Sequence, residues 1–242
     1  MIPRPALALC FVLATAANAQ APAATVQALP AEATVAGRGY PELAQAWWQW
    51  VMRKPDGMRP PQDPTGAQCH HGQEGEVWFL AGTSGTGPVE RTCRVPAGKA
   101  IFLPVMVALE YSAPGHRRDC DALRAEAKAV ADGFLVNRAE LDGVALQTVR
   151  SNPGDCFDAF AEAQYDSLRP GIYAPAATDG LWLLLPPLPP GSHRLVVDAR
   201  HPPEVPIRRR FDQRFTYLLE VGDGPVQEHE PQRDKASDVI AL

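Results

Sequence analysis

The apolar positions of this chain change period once, and that change sets the fold to expect. Leu43, Trp47, Trp50 and Val51 recur at spacings of three and four and share one face of a helix. Pro41 and Glu42 suit its first turn, and the sequence KPDG at 54–57 ends it, so the spacing predicts a helix over 41–53. Leu123, Ala127, Val130 and Ala131 repeat the helical spacing between Asp119 and Gly133. Asp119 or Asp121 can cap this second helix, and Gly133 can stop it.

Elsewhere the period is two, or the apolar runs are short and continuous. Strands are expected over 76–82, 89–95, 100–105, 135–141, 144–149, 181–185, 193–198 and 211–221. In the second of these, Arg91, Cys93 and Val95 share one face and Thr92 and Arg94 the other. Pro104 puts the end of its strand at an edge or a bulge. Asp142 and Gly143 between two alternating runs are a strong short-range hairpin signal. Turns are expected at 82–87 (GTSGTG), 96–99 (PAGK) and 186–191 (PPLPPG). Many short strands with Gly/Pro turns, and two helices that do not alternate with them, predict a mainly β protein. The expected architecture is a two-sheet antiparallel sandwich, Ig-like or jelly-roll-like, with two short helices. No internal repeat is present.

The ends add a compartment. Arg4 precedes an apolar run of about a dozen residues, followed by Ala17, Asn18 and Ala19, the three-part pattern of a secretory leader. The run is too short for a bilayer span, which needs about 20 residues. Cys10 lies inside it behind the bulky Leu9, which argues against lipidation. The chain is therefore read as a signal peptide (1–19), a flexible Ala/Pro/Thr-rich stretch (20–37), one β-rich domain (38–221) and a polar tail (222–242). No later run is long and apolar enough to cross a membrane, so a secreted or periplasmic product with no membrane span after leader cleavage is expected.

Four cysteines follow the leader: Cys69, Cys93, Cys120 and Cys156. An even number in an exported chain reads as disulfides. Of the three connectivities, Cys69 with Cys93 and Cys120 with Cys156 close the shortest loops, each contributing about 3 kcal/mol on the chain-entropy model. Their wide spacing does not suit zinc. The formal net charge of −5 becomes −6 once Arg4 is removed, a balance that argues against a nucleic-acid partner.

The chemistry-bearing residues are scattered. In WWQW (47–50), Trp47 and Trp50 read as core, and Trp48 points away from them, where an indole face can stack on a sugar ring. His70, His71 and Glu74 offer imidazole and carboxylate ligands for Zn²⁺ or Cu²⁺, although adjacent histidines chelate one ion poorly. Lys99, Glu110 and His116 fall in or beside loops; if those loops converge, a carboxylate and a histidine can do acid–base work. Asp179, His193, Asp198 and His201 form a second polar set. His193 reads more as a structural strand residue than as a ligand contact, and it stands with Trp48, Lys99, Glu110 and His116 as a ligand-binding candidate. The arginine run 208–210 reads as a guarded strand edge. No Gly-x-Ser-x-Gly elbow, phosphate loop or His-Glu-x-x-His helix is present, no cofactor is implied, and the paired cysteines leave no thiol nucleophile.

Several segments together resemble a family of secreted bacterial and archaeal proteins of unassigned function: WWQW (47–50), GAQC (66–69), VWFLAGT (77–83), RTCRVPAGKAIF (91–102), and the stretch from Asp179 to LPPGSH (188–193). The resemblance covers most of residues 40–220 and implies export and a β-rich domain, with no activity or site residues to carry over. The Asn that follows the Phe-x-Pro strand in that family is replaced here by Val105, Met106, Val107 and Ala108. The reading to test is an exported binding or envelope-associated protein with a glycan or envelope polymer as partner. Its alternatives are a hydrolase of an extracellular polymer and a periplasmic metal-binding protein. Oligomeric state has no sequence signal.

Overall fold

The computed structural model describes residues 25–84, 87–165, 171–201 and 212–223. The expected leader, the arginine run 208–210, Phe211 and the tail beyond Asp223 lie outside them.

The first helix, α1, spans Tyr40–Met52, with Glu42 accepting a hydrogen bond from the backbone N–H of its N-cap Gly39 at 3.0 Å. Strands β1 (Val77–Phe79), β2 (Val89–Val95) and β3 (Ala100–Tyr111) follow, then α2 (Cys120–Ala131), whose N-cap Asp119 accepts from the N–H of Ala122. The remaining strands are β4 (Leu135–Leu141), β5 (Val144–Ala145), β6 (Val149–Ser151), β7 (Ala176–Leu185), β8 (Gly191–Arg200) and β9 (Gln213–Val221). The Asp142 and Gly143 turn has the two positive φ angles, 52° and 81°, that a tight hairpin of this hand requires.

Two sheets form, β1-β3-β7-β6 and β2-β9-β8-β4-β5. Between them lies a core that includes Ile101, Leu103, Val105, Leu183 and Leu185 from the first sheet and Leu195, Val197, Tyr217 and Leu219 from the second. The first sheet is apolar on its other face too. There Phe102, Trp182 and Leu184 meet Leu43, Trp47, Trp50 and Val51 of α1. The helix thus makes a third layer, and the first sheet is covered on both sides. That is why its central strands read as continuous apolar runs rather than alternating ones. Helix α2 packs against β3 and β7.

The sandwich matches the sequence expectation, with one difference in strand direction. β1 pairs with β3, and β2 with β9, in parallel, while the other pairs are antiparallel. Alternation specifies which side chains face the core, not which way a strand runs. A second difference concerns β3, which continues well past Pro104. The ladder to β7 skips Val105 between Pro104 and Met106, and β1 pairs with β3 only as far as Phe102. The proline therefore sits at a bulge where one neighbouring strand has already left, so its missing N–H costs nothing. Gly180 faces the bulge: a Cβ there would lie 2.6 Å from the Met106 carbonyl oxygen.

The disulfides are Cys69–Cys93 and Cys120–Cys156. The first ties the 63–75 loop to β2, and the second ties the start of α2 to the segment before β7. Ahead of α1, Leu29 lies along the first sheet, its N–H donating to Leu184 O at 2.7 Å and its carbonyl accepting from Tyr40 Oη. Among the described residues no helix is long and apolar enough to cross a membrane.

Candidate functional site

An open cleft of about 340 Å³ lies between the C-terminal half of α1 and the bulged part of β3. Trp47, Trp48, Val51 and Met52 form its apolar wall. Pro104 and Val107 come from β3, and Asp56, Arg59 and Gln62 from the loop that follows α1. The volume falls at the small end of the range for small-molecule sites, and the lining is close to evenly divided between apolar and polar side chains.

Each wall is held in place from below. Trp47 is buried and donates from Nε1 to Leu80 O at 2.9 Å. Trp48 is half-buried, packs edge-on against Trp47 with ring centroids 4.9 Å apart, and donates from Nε1 to Thr178 Oγ1 at 2.8 Å. Thr178 in turn donates to Ala108 O at 2.6 Å. In the loop, the Gln62 amide nitrogen donates to Asp56 Oδ1 at 2.8 Å, while its oxygen accepts from the N–H groups of Gly57 and Arg59 at 2.8 and 3.2 Å. Across the cleft, the buried Gln213 amide accepts from Thr83 N–H at 2.7 Å and donates to Thr83 O at 3.0 Å.

Beneath these loops lies Arg91, 1% exposed. Its Nε donates to Asp63 O at 2.7 Å and its Nη2 to Pro61 O at 3.1 Å. Its Nη1 donates to Ala81 O, Gly82 O and Tyr217 Oη at 2.9, 2.7 and 3.0 Å. One guanidinium thus gathers the 61–63 loop, the segment after β1 and strand β9. Burial, set against the favourable charge of Arg91, still leaves the Tyr217 hydroxyl with a raised pKa. A trace of this was in the pattern, since Arg91 falls on the same face of β2 as Cys93 and Val95. The polar residues of 56–62 carry no period that points to a site.

The other sequence candidates do not join this cleft. Lys99 lies in the turn between β2 and β3, its Nζ donating to Gly75 O. Glu110 is near the far end of β3, and at ~3.3 Å per residue roughly 30 Å or more of strand separates the two. Glu110 pairs with Arg118 at 3.3 Å, and Arg118 also pairs with Glu126. Burial outweighs the arginine and leaves the Glu110 carboxyl with a raised pKa. His116 is exposed in the loop after β3, held by backbone hydrogen bonds with Ala113 at 3.0 and 3.3 Å. Asp179 is 1% exposed and accepts from Arg150 Nε and Nη2, both at 2.9 Å, and from Asn152 at 3.1 Å. Arg150 also pairs with Asp132 at the end of α2, so Asp179 locks helix to sheet. Lys99, Glu110 and His116 therefore do not form the shared acid–base cleft that converging loops would have allowed.

His193 sits near the start of β8. Its Nδ1 lies 2.7 Å from Asp142 Oδ2 and its Nε2 2.8 Å from Pro189 O. Both partners are acceptors, so the imidazole meets them best with both nitrogens protonated. Burial alone would lower the pKa of this imidazole, but the bonds to Asp142 and Pro189 and the Asp142 charge outweigh it and raise the pKa above its ordinary value. At the proposed metal ligands, the His70 and His71 rings pack edge-to-face at 4.3 Å, and Glu74 turns to Arg53 at 3.1 Å. Among the described residues no group of three His, Cys, Asp or Glu is arranged to hold a metal ion.

No protein-family model matches the chain, and no curated protein does. Two solved structures align with it. The solution structure of amebosin is 13% identical, with 61% of this chain and 99% of amebosin covered and a TM-score of 0.24. The crystal structure of the cysteine protease inhibitor EhICP2 from Entamoeba histolytica is 12% identical, with 60% and 95% covered and a TM-score of 0.23. Alignments this loose carry no statement about the fold or function of this chain.

Proposed function

We propose that this is an exported, non-enzymatic binding protein that takes a unit of a glycan or other envelope polymer into the Trp48 cleft. The observation that carries the reading is Trp48 itself: a half-buried indole, fixed by Thr178 and Trp47, forming the wall of a cleft with a polar rim. Such an amphipathic ring presents rigid contact area at small entropic cost. Export is supported by the leader pattern at 1–19 and by two disulfides, which persist in oxidising compartments. The resemblance to the secreted family is part of the same proposal. A hydrolase has less support, because Glu110 and Asp179 are engaged with arginines. A metal role has less support because Glu74 faces Arg53.

The test is to screen the purified mature chain and its Trp48→Ala variant against immobilised glycans and envelope polymers. Wild type should bind at least one, and Trp48→Ala should bind it at least tenfold more weakly while unfolding cooperatively. Binding to none of them would sink the proposal.

A further inference from the structure

We infer that the unit held in the cleft is an uncharged sugar ring, gripped through two neighbouring hydroxyls by Asp56 and Arg59. The inference rests on the cleft reading above and concerns what that cleft selects. Among the described residues, the charged side chains on its lining are one carboxylate, Asp56, and one guanidinium, Arg59. Their signs cancel, so together these two offer no net attraction to an anion or a cation.

The pair is also loosely matched to itself. Arg59 Nη1 and Asp56 Oδ1 are 3.8 Å apart, beyond hydrogen-bond reach, and the Asp56 side chain is 81% exposed. Asp56 Oδ1 accepts from Gln62, and Arg59 Nε donates to Lys54 O at 3.3 Å. Among the described residues, no protein group hydrogen-bonds to Asp56 Oδ2 or Arg59 Nη2, so both are open to solvent or to a ligand. An acceptor and a donor thus stand side by side at the rim of an apolar wall. A hydroxyl both donates and accepts, so two neighbouring hydroxyls satisfy the pair, one donating to Asp56 and the other accepting from Arg59. The C–H face of the same ring then meets the indole of Trp48.

Other ligand classes fit less well. A carboxylate or phosphate that reached Arg59 would face Asp56, and an amine that reached Asp56 would face Arg59. A purely aliphatic ligand would cover both charges without hydrogen-bonding either, which is costly. Gln62 holds the Asp56 carboxylate and the Arg59 backbone, and Lys54 O holds Arg59 Nε, before any ligand arrives, which limits the ordering required on binding.

Calorimetric titration of the full mature chain with a panel of soluble oligosaccharides of matched ring number tests this. The panel contains neutral hexose oligomers, uronic-acid oligomers and glucosamine oligomers with free amines. Wild type should bind a neutral member best. Asp56→Asn, which keeps an acceptor for Gln62, and Arg59→Gln should each weaken that binding tenfold or more, and Trp48→Ala should abolish it, with melting temperatures verifying the fold of each variant. Preference for an acidic or cationic member, or neutral binding unchanged in both rim variants, overturns the inference. If Trp48→Ala still abolishes binding in that case, the cleft reading survives. Binding that ignores Trp48→Ala removes both, and no binding to any member overturns the inference while leaving the cleft reading to the polymer screen.

Discussion

Replacing Arg91 by methionine should destabilise the domain by about 3 kcal/mol, although among the described residues no carboxylate pairs with it. Its guanidinium donates to four backbone carbonyls and one hydroxyl. Methionine fills much of the volume and donates to none. Ala81 O keeps a partner, because Tyr217 Oη also donates to it at 2.9 Å. The carbonyls of Pro61, Asp63 and Gly82 lose the hydrogen bond described. The buried Gly82 carbonyl costs about 1–3 kcal/mol when orphaned and the half-buried carbonyls of Pro61 and Asp63 less, and the contact between the guanidinium and the Tyr217 ring, 5.5 Å from its centroid, goes as well. Against this, a buried charge is removed, which returns several kcal/mol of desolvation. The net of about 3 kcal/mol corresponds to a fall of roughly 6–12 °C in melting temperature for a domain of this size. Urea unfolding with the disulfides intact measures it, with unchanged m-values confirming comparable transitions. Glu90→Gln, on the outward face of the same strand, should stay within about 0.5 kcal/mol of wild type. If Arg91→Met also lies within about 1 kcal/mol of wild type, the buried guanidinium does not hold the loops as described.

Three further outcomes follow from other parts of the fold. The His193 clamp has a raised folded-state pKa, so its contribution is complete below the ordinary imidazole range and is lost as pH rises through the higher folded value. The stability gap between wild type and His193→Gln should therefore be wider at about pH 5.5 than at about pH 8.5, and a gap that widens with pH would refute the assignment. Gly180→Ala should cost about 1–3 kcal/mol by pressing a methyl against the β3 bulge; a neutral thermal melt would mean that the bulge is not packed this way. Replacing Cys69 and Cys93 together by serine should cost about 3 kcal/mol in urea unfolding, from the freed 24-residue separation, and an unchanged midpoint would contradict that.

Much of the scaffold was legible because it depends on local pattern. The three-and-four spacing of Leu43, Trp47, Trp50 and Val51 marks a helix that buries that face, and those four residues are buried in α1. Asp142 and Gly143 make the expected turn, and nearest-neighbour pairing of the cysteines is the pairing found. What was not legible depends on distant partners. The length of β3 was masked by Pro104, because nothing in the local sequence says that β1 ends before the proline and that Gly180 accommodates a bulge. The parallel pairing of β2 with β9 joins segments more than a hundred residues apart, and alternation is blind to direction. Trp48 was legible as the tryptophan off the core face. Its neighbours Asp56, Arg59 and Gln62 were not, because they belong to a loop whose shape is set by side-chain-to-backbone hydrogen bonds and by Arg91 from another strand.

Ligand binding in the cleft is tested most directly by whether a ligand touches Trp48. The chain has five tryptophans, and their indole N–H groups give separate signals in a nitrogen-correlated NMR spectrum, with that of Trp48 assigned through Trp48→Phe. On titrating a glycan retained in the binding screen, the Trp48 signal should move saturably, while those of Trp78 and Trp182, buried deep in the domain, stay in place. A saturable ligand that leaves the Trp48 signal unmoved would contradict the account.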